Sequence, residues 1–452
     1  MPAQPRTQTD EKSLTLARVL RYKRLAPSAH TDMAGRTGRL IYHEVFMVTA
    51  GDSIFASQSF RRYFVGQAFS YVGDGLRLIA IPLLVFHLTK SAVSLGVTYV
   101  LEILPFALAG LIGGSLADRV DRKRLMITCD FLRFLVITAF AILYLMNALT
   151  LPLLYGGIVV LSICAAFFLG GQSSSIPYMI GKERSTKAVA ALIAAEQTSN
   201  SFAPPLGAAL LGILGPVAVF AINALTYLGS QISLALVPSL GPEEKNGFPN
   251  LKQIATDIVI GFRFMLGDRC MRTITLMSFF LNMFGWMGMA VLVPFLKRDF
   301  AASDQLVGLF YGIGNVACVV GSLYAGRMSD RWTFGHALTV AYVVDGLVFL
   351  PIPFTHNYWI AVLCWSLANG GAQFEITQIV GWRLRVTPQE MVGRVFGAVR
   401  LLALGGIVPG ALLGGYIADH YGARLAMLIS AFGYLLIAAS AIGSRTIRNE
   451  AR

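Results

Sequence analysis

Apolar residues in this chain gather into runs of about the length that crosses a bilayer, and polar and charged residues collect in the short gaps between them. A helical crossing of about 30 Å of hydrocarbon takes about 20 mostly apolar residues. Twelve runs meet that length, near 63–87, 93–117, 123–147, 151–175, 190–212, 216–239, 272–296, 305–328, 335–355, 358–381, 395–418 and 424–443. The pattern predicts an all-α polytopic membrane protein of twelve transmembrane helices in two six-helix bundles. Its divisions are a basic tail (1–60), a first bundle (61–239), a linker (240–270), a second bundle (271–444) and a short tail (445–452). Within the linker, Ile254, Ile258, Phe262 and Met265 recur every three or four residues, which predicts an amphipathic helix along one membrane face. In the first tail, Ser13 to Leu25 has the basic, part-apolar character of a surface helix, with a disordered tail as the alternative.

Composition agrees. Of 452 residues, 55% are hydrophobic and 13% charged, about half the charged share of an ordinary soluble protein. The formal charge of +13 raises nucleic-acid binding until position is considered. Arg122, Lys123 and Arg124, then Lys182, Arg184 and Lys187, then Lys252, Arg263, Arg269 and Arg272, then Arg331, then Arg383, Arg385 and Arg394 fall in alternate loops. By the positive-inside rule both termini are cytoplasmic, and the charge reports topology rather than a nucleic-acid partner.

Other chemistries find no motif. The five cysteines (Cys129, Cys164, Cys270, Cys318, Cys364) are scattered singly, without the spacing of a disulfide framework or a metal site. Gly181-Lys182 is followed by Glu183 rather than Ser or Thr, so no nucleotide-binding loop is present. No cofactor and no enzymatic activity are expected.

One charged cluster is repeated. GGSLADRVDRKR (Gly113 to Arg124) returns as GRMSDRW from Gly326 and as GGYIAD from Gly414. Asp118 and Asp330 end the second span of each half, and the third copy ends the eleventh span on the opposite side. Such an arrangement is expected of halves that are each an inverted pair of three-helix units, as in secondary transporters. At the matching end of the fifth span, LLGILGP carries no acid, although Pro204 and Pro205 echo Pro409.

Gly114 to Arg124 fits the loop signature Gly-x-Leu-Ala-Asp-Arg-x-x-Arg-Lys-Arg, and over about residues 60–445 the chain resembles the major facilitator superfamily. GDGLRLIAIPLLVFHLT, IPYMIGKERSTKAVA and TPQEMVGRVFGAVR resemble the bacterial exporter branch that includes macrolide efflux pumps and the enterobactin exporter. The resemblance implies a monomer in a bacterial inner membrane, in contact with lipid, exchanging protons for a small amphipathic substrate by alternating access. It also implies a cytoplasmic gate of Gly114, Asp118, Arg119, Arg122, Arg124, Gly326, Asp330, Arg331 and Arg394, with Asp118 facing the start of helix eleven. Two departures stand out. The Arg of related proton-coupled exporters is missing from AAFFLGGQSSSIP, and the glycines of their span-five motif are mostly replaced between Ser199 and Ala208.

Ionisable residues within spans cost about 2.5–3.5 kcal/mol each on insertion scales, which marks them as functional candidates. Asp74, Glu102 and Glu375 are the candidates for proton coupling, with binding of a cationic substrate as the alternative role of Glu102 and Glu375. Asp74 leads, because the resemblance puts helices one, four, seven and ten around the cavity. Asp74 and Arg77 share a helix face at i, i+3, so a static ion pair is the alternative. Arg77, Gln172, Glu196, Asn282, Trp286, Asn369 and Gln373 are candidates for the cavity wall, and Phe279, Met283, Trp286 and Met287 form a stripe for an amphipathic ligand. Asp130, Arg133 and Asp345 read as structural. A facilitator or importer without proton coupling, and a membrane sensor or scaffold, are the alternative functions.

Overall fold

The computed structural model describes residues 54–448 apart from 118–119, 239, 241–250 and 329–330, and the chain is helical almost throughout. The Ser13–Leu25 segment lies outside the described residues. Helices α1 (Gln58–Thr89), α2 (Ala92–Ala117), α3 (Arg122–Leu145), α4 (Leu151–Ile180) and α5 (Ser185–Ala235) pack among themselves. After α6 (Leu251–Gly267) come α7 (Arg269–Asp299), α8 (Asp304–Met328), α9 (Phe334–Phe349), α10 (Tyr358–Val386), α11 (Val392–Tyr421) and α12 (Ala423–Gly443), which form a second group. A final turn, α13 (Arg445–Arg448), follows.

Local signals set the helix starts. Ser57 accepts a bond from the Phe60 amide, Asp121 from Arg124, Asp268 from Met271, and Asn357 from Trp359 and Ile360, each satisfying an amide the helix leaves unpaired. Asp121 belongs to the repeated charged cluster, so one of its acids serves as a cap.

Among the described residues, nine helices are long and apolar enough to cross a membrane. The 51-residue α5 contains two of the predicted runs, broken at Gly215, whose φ of 77° and ψ of 177° are open essentially to glycine alone. Pro216 follows and restarts the helix. Gly422, with φ 94°, makes the same one-residue joint between α11 and α12. The apolar helix α9 is only 16 residues long, and α10, at 29 residues, carries the polar run Asn369 to Gln378.

The two groups meet along α2 with α11 and α5 with α8. Small residues allow this closeness. Gly308 and Gly312 of α8 lie on Pro204 and Pro205 of α5, which gives the sequence echo with Pro409 a packing role. A Cβ on Gly406, Gly410 or Gly414 would run into the backbone carbonyls of Phe279, Met283 and Met287 in α7. The expected linker helix is α6. It rests on the start of α11, with Met265 fully buried, Gly261 against the Arg394 carbonyl and Asp257 paired to Arg394 at 2.7 Å. The largest apolar cluster joins both groups at the far end of the helices, with Leu83, Phe86 and Leu95 on one side and Val291, Phe295 and Phe310 on the other.

Candidate transport cavity

A cavity of about 840 Å³ runs from mid-helix toward the end where α6 lies, between α7, α10 and α11, with Gly110 and Leu111 of α2 on its wall. The sequence-derived candidates Asn282, Trp286, Asn369 and Glu375 line it together, as does Phe279 of the α7 stripe. Gln373 does not. Both asparagines bond back to their own helices, Asn282 to the Ser278 carbonyl at 2.7 Å and Asn369 to the Trp365 carbonyl at 2.8 Å. Trp286 meets Tyr99 of α2 edge to face at 5.7 Å, an aromatic contact across the two groups.

Glu375 is fully buried, and so is Asp345 of α9, the acid that sequence alone read as structural. Asp345 lies against Gly371, one turn before Glu375 on α10, and the two carboxyls interact directly. None of their four oxygens receives a hydrogen bond from another group of the protein among the described residues. Tyr342 and Tyr434 stand beside the pair, and Tyr434 also lines the cavity.

The other candidates lie elsewhere. Asp74, Gln172 and Glu196 share a smaller pocket of about 140 Å³ between α1, α4 and α5, with Phe106 of α2 on its wall. The four helices expected around one cavity therefore divide, with α1 and α4 at the small pocket and α7 and α10 at the large one. Asp74 accepts a 2.5 Å bond from the Tyr227 hydroxyl, and Arg77 stands 3.7 Å from Asp74 and 3.1 Å from Glu102. One guanidinium thus serves two of the three carboxylates expected to couple protons. Gln172 donates to the Tyr71 hydroxyl at 3.2 Å. Glu196 is exposed at the pocket rim. The Asp130–Arg133 pair is buried at 3.3 Å, with the guanidinium over the rings of Phe168 and Tyr227 and on the wall of the same small pocket.

At the end away from α6, the third copy of the repeated cluster makes a latch. Asp419, near the end of α11, accepts bonds from Ser91 Oγ at 2.6 Å and from the amides of Ala92 and Val93 at 2.8 and 2.9 Å. Its carboxylate thereby caps α2 of the other group, where the helix dipole favours an anion. Arg298 of α7 sits 3.3 Å from Asp419 and donates to the Lys90 carbonyl. Asp304, at the start of α8, lies 2.5 Å from Lys297 and 3.4 Å from His87 of α1. Tyr99 and Tyr311 hydroxyls meet across the groups at 3.2 Å.

At the α6 end, Asp118, Arg119 and Asp330 of the expected gate lie outside the described residues, and only the helical backbone of Gly114 is described. Arg122 is buried over the Tyr178 ring, Arg124 pairs with Asp121, Gly326 and Arg331 are exposed, and Arg394 holds Asp257.

Two cavity-lining cations, Arg383 and Arg400, are not among the candidates the sequence pattern offers. The sequence pattern puts Arg383 in a basic loop, but α10 continues to Val386 and carries it into the cavity wall, 4% exposed. Arg400 also lines the cavity and lies 4.9 Å over the Phe106 ring, on the partition between the two pockets. Its signal was present, because it is a lone cation inside the apolar run 395–418.

A family model described as the Major Facilitator Superfamily matches residues 63–403 and 275–450. The enterobactin exporter of Citrobacter koseri is 25% identical over 389 residues, covering 84% of this chain and 90% of that protein. An uncharacterized MFS-type transporter of Bacillus subtilis is 26% identical over 378 residues, with 82% and 89% covered. Among solved structures, a bacterial homologue of the iron transporter ferroportin in an inward-facing state superposes with a TM-score of 0.66 at 14% identity, covering 84% of this chain and 99% of that one. A bacterial homologue of the lysosomal transporter Spinster, also inward-facing, gives 0.65 at 15%, with 88% and 98% covered. With the repeated charged cluster, the paired helix groups and a family match along nearly the whole described chain, this protein belongs to the Major Facilitator Superfamily of membrane transporters.

Proposed function

We propose that the protein is a proton-driven secondary transporter that exports a small amphipathic molecule by alternating access. Its twelve crossings form two bundles, 61–239 and 271–444, joined by the 240–270 linker, and both chain ends lie in the cytoplasm of a bacterial cell. The observation that carries this reading is the polarity of the cavity. The Asp419 latch and the joined apolar cluster close one end, and the cavity runs toward the other, as in a carrier held open to the cytoplasm. Export and the inner-membrane location rest on the likeness to the enterobactin exporter.

Coupling falls to Glu375 with Asp345. Two carboxyls in contact inside a low-dielectric wall repel each other when both are ionised, and one shared proton relieves that. Exposure to the outside loads the proton and releases substrate, and exposure to the cytoplasm unloads it. Asp74 and Glu102, which share Arg77 as their counter-charge, serve instead to pin α1 to α2. Asp118, Asp330 and the arginines around them close the cytoplasmic end in the opposite state, an anion being favoured near a helix start.

Everted membrane vesicles with an acidic interior and a proton-sensitive dye provide the test, with macrolides, cationic dyes and catecholate siderophores as the panel. A compound that releases protons in the wild type but not in Glu375→Gln supports the reading. Passage of a labelled compound with no proton movement would replace it with a facilitator or importer, and passage of none with a sensor or scaffold.

A further inference from the structure

The large cavity holds two guanidiniums, and neither has an ion pair among the described residues. Arg383 is nine-tenths buried or more; among the described residues its side chain bonds to Thr275 Oγ1 at 3.4 Å and its Nε has no partner. Arg400, half-buried, rests on the Phe106 ring without an ion pair among the described residues. Both line the cavity. Glu375, the one carboxyl on that wall among the described residues, is engaged with Asp345 and lies about 12 Å along α10 from Arg383, at 1.5 Å per residue. A buried cation without a counter-charge is costly unless something supplies one, and in membrane proteins such groups mark ligand pathways. Guanidiniums match planar or tetrahedral oxyanions through paired hydrogen bonds. The rest of the wall is aromatic and apolar, with Phe279, Trp286, Ile379 and Phe396.

We propose that the cavity takes an amphipathic anion, its carboxylate, sulfonate or phosphate held by Arg383 and Arg400 and its apolar body against Phe279, Trp286 and Phe396. This names the substrate class of the transporter proposed above and rests on that reading. Recognition is positional. The anionic head lies at the α6 end of the cavity, where the two arginines stand on α10 and α11, and the apolar part points toward mid-helix. An anion that draws Arg400 from Phe106 also loosens the partition that separates the two pockets.

The test is equilibrium dialysis of the purified full chain in lipid nanodiscs, corrected with empty discs, against three probes sharing one ring: naphthalene-2-sulfonate, 2-naphthylmethanol and 2-naphthylmethylammonium. The sulfonate binds about ten-fold or more tighter than the alcohol, and the ammonium weakest. Arg400→Gln lowers sulfonate affinity about ten-fold, Arg400→Lys less, and neither changes the alcohol. Arg383→Gln acts like Arg400→Gln; Arg400, being less buried, keeps the test valid if the Arg383 variant fails to elute as a monodisperse species. No sulfonate binding above empty discs, equal binding of all three probes, preference for the ammonium, or unchanged sulfonate affinity in Arg400→Gln overturns the proposal. Because binding requires no turnover, a protein that binds the sulfonate but moves nothing in vesicles refutes the transporter reading alone, and one that transports without binding it refutes this proposal alone.

Discussion

Replacing Asp419 by Asn should weaken the latch that closes one end of the cavity. The carboxylate accepts three short bonds from the start of α2, two of them from backbone amides, and faces Arg298. A bond to a charged group contributes about 1.5–3 kcal/mol net, and attraction to a helix N-terminus about 0.3–1 kcal/mol. Asparagine retains one acceptor oxygen, and the aspartate is 19% exposed, so solvent screening reduces the loss. About 2 kcal/mol is a fair figure, which corresponds to about a 30-fold change in the ratio of latch-closed to latch-open molecules. Spin labels on Asn147 and His356, both exposed at the latch end on opposite helix groups, report that ratio by double electron–electron resonance in a cysteine-free background. The longer-distance population should grow in Asp419→Asn. An unchanged distance distribution would refute the idea that this carboxylate holds the closed state.

Other consequences are as direct. Gly215→Ala forces a side chain into a glycine-only conformation and should destabilise the fold by about 1–3 kcal/mol, seen as a lower Tm in detergent; an unchanged Tm contradicts the joint described here. Arg77→Gln leaves Asp74 and Glu102 without their shared cation and should cost about 1–3 kcal/mol after screening, measured by thermal unfolding, with Arg77→Lys recovering part; equal stability of all three proteins contradicts the pinning role. Arg394→Ala removes an ion pair whose partners are both about one-third or more exposed, so global stability should fall by less than about 1 kcal/mol. Amide exchange in α6 should nonetheless rise, and unchanged exchange there would show that Asp257–Arg394 does not hold the linker helix.

Much of the helical plan was legible because apolar runs of crossing length are unambiguous in a chain this poor in charge. The break near Gly215 was legible only as the gap between the runs 190–212 and 216–239. The linker helix followed from its three-to-four spacing. Pairings between helices were not legible. Asp345 and Glu375 meet only because α9 and α10 pack at Gly371, and no spacing within one helix foretells that contact. Asp419 was visible as a copy of a repeated motif, but its partners are amides at the start of α2, which any sequence would supply. Arg383 was misplaced because α10 stays helical beyond its apolar run, and a cation just past such a run looks like loop charge. Asp74 and Arg77 were correctly seen to share a face. Glu102, one helix over, is what turned that pair into a triad.

The central claim is that the latch end must open during each cycle. Cysteines at Ser91 and Asp419, whose native side chains meet at 2.6 Å, would fasten it when oxidised. With a compound that the vesicle panel identifies, the account predicts that the oxidised double variant transports nothing and that reductant restores transport to the level of the reduced protein. Undiminished transport through a protein whose latch is covalently closed would contradict it.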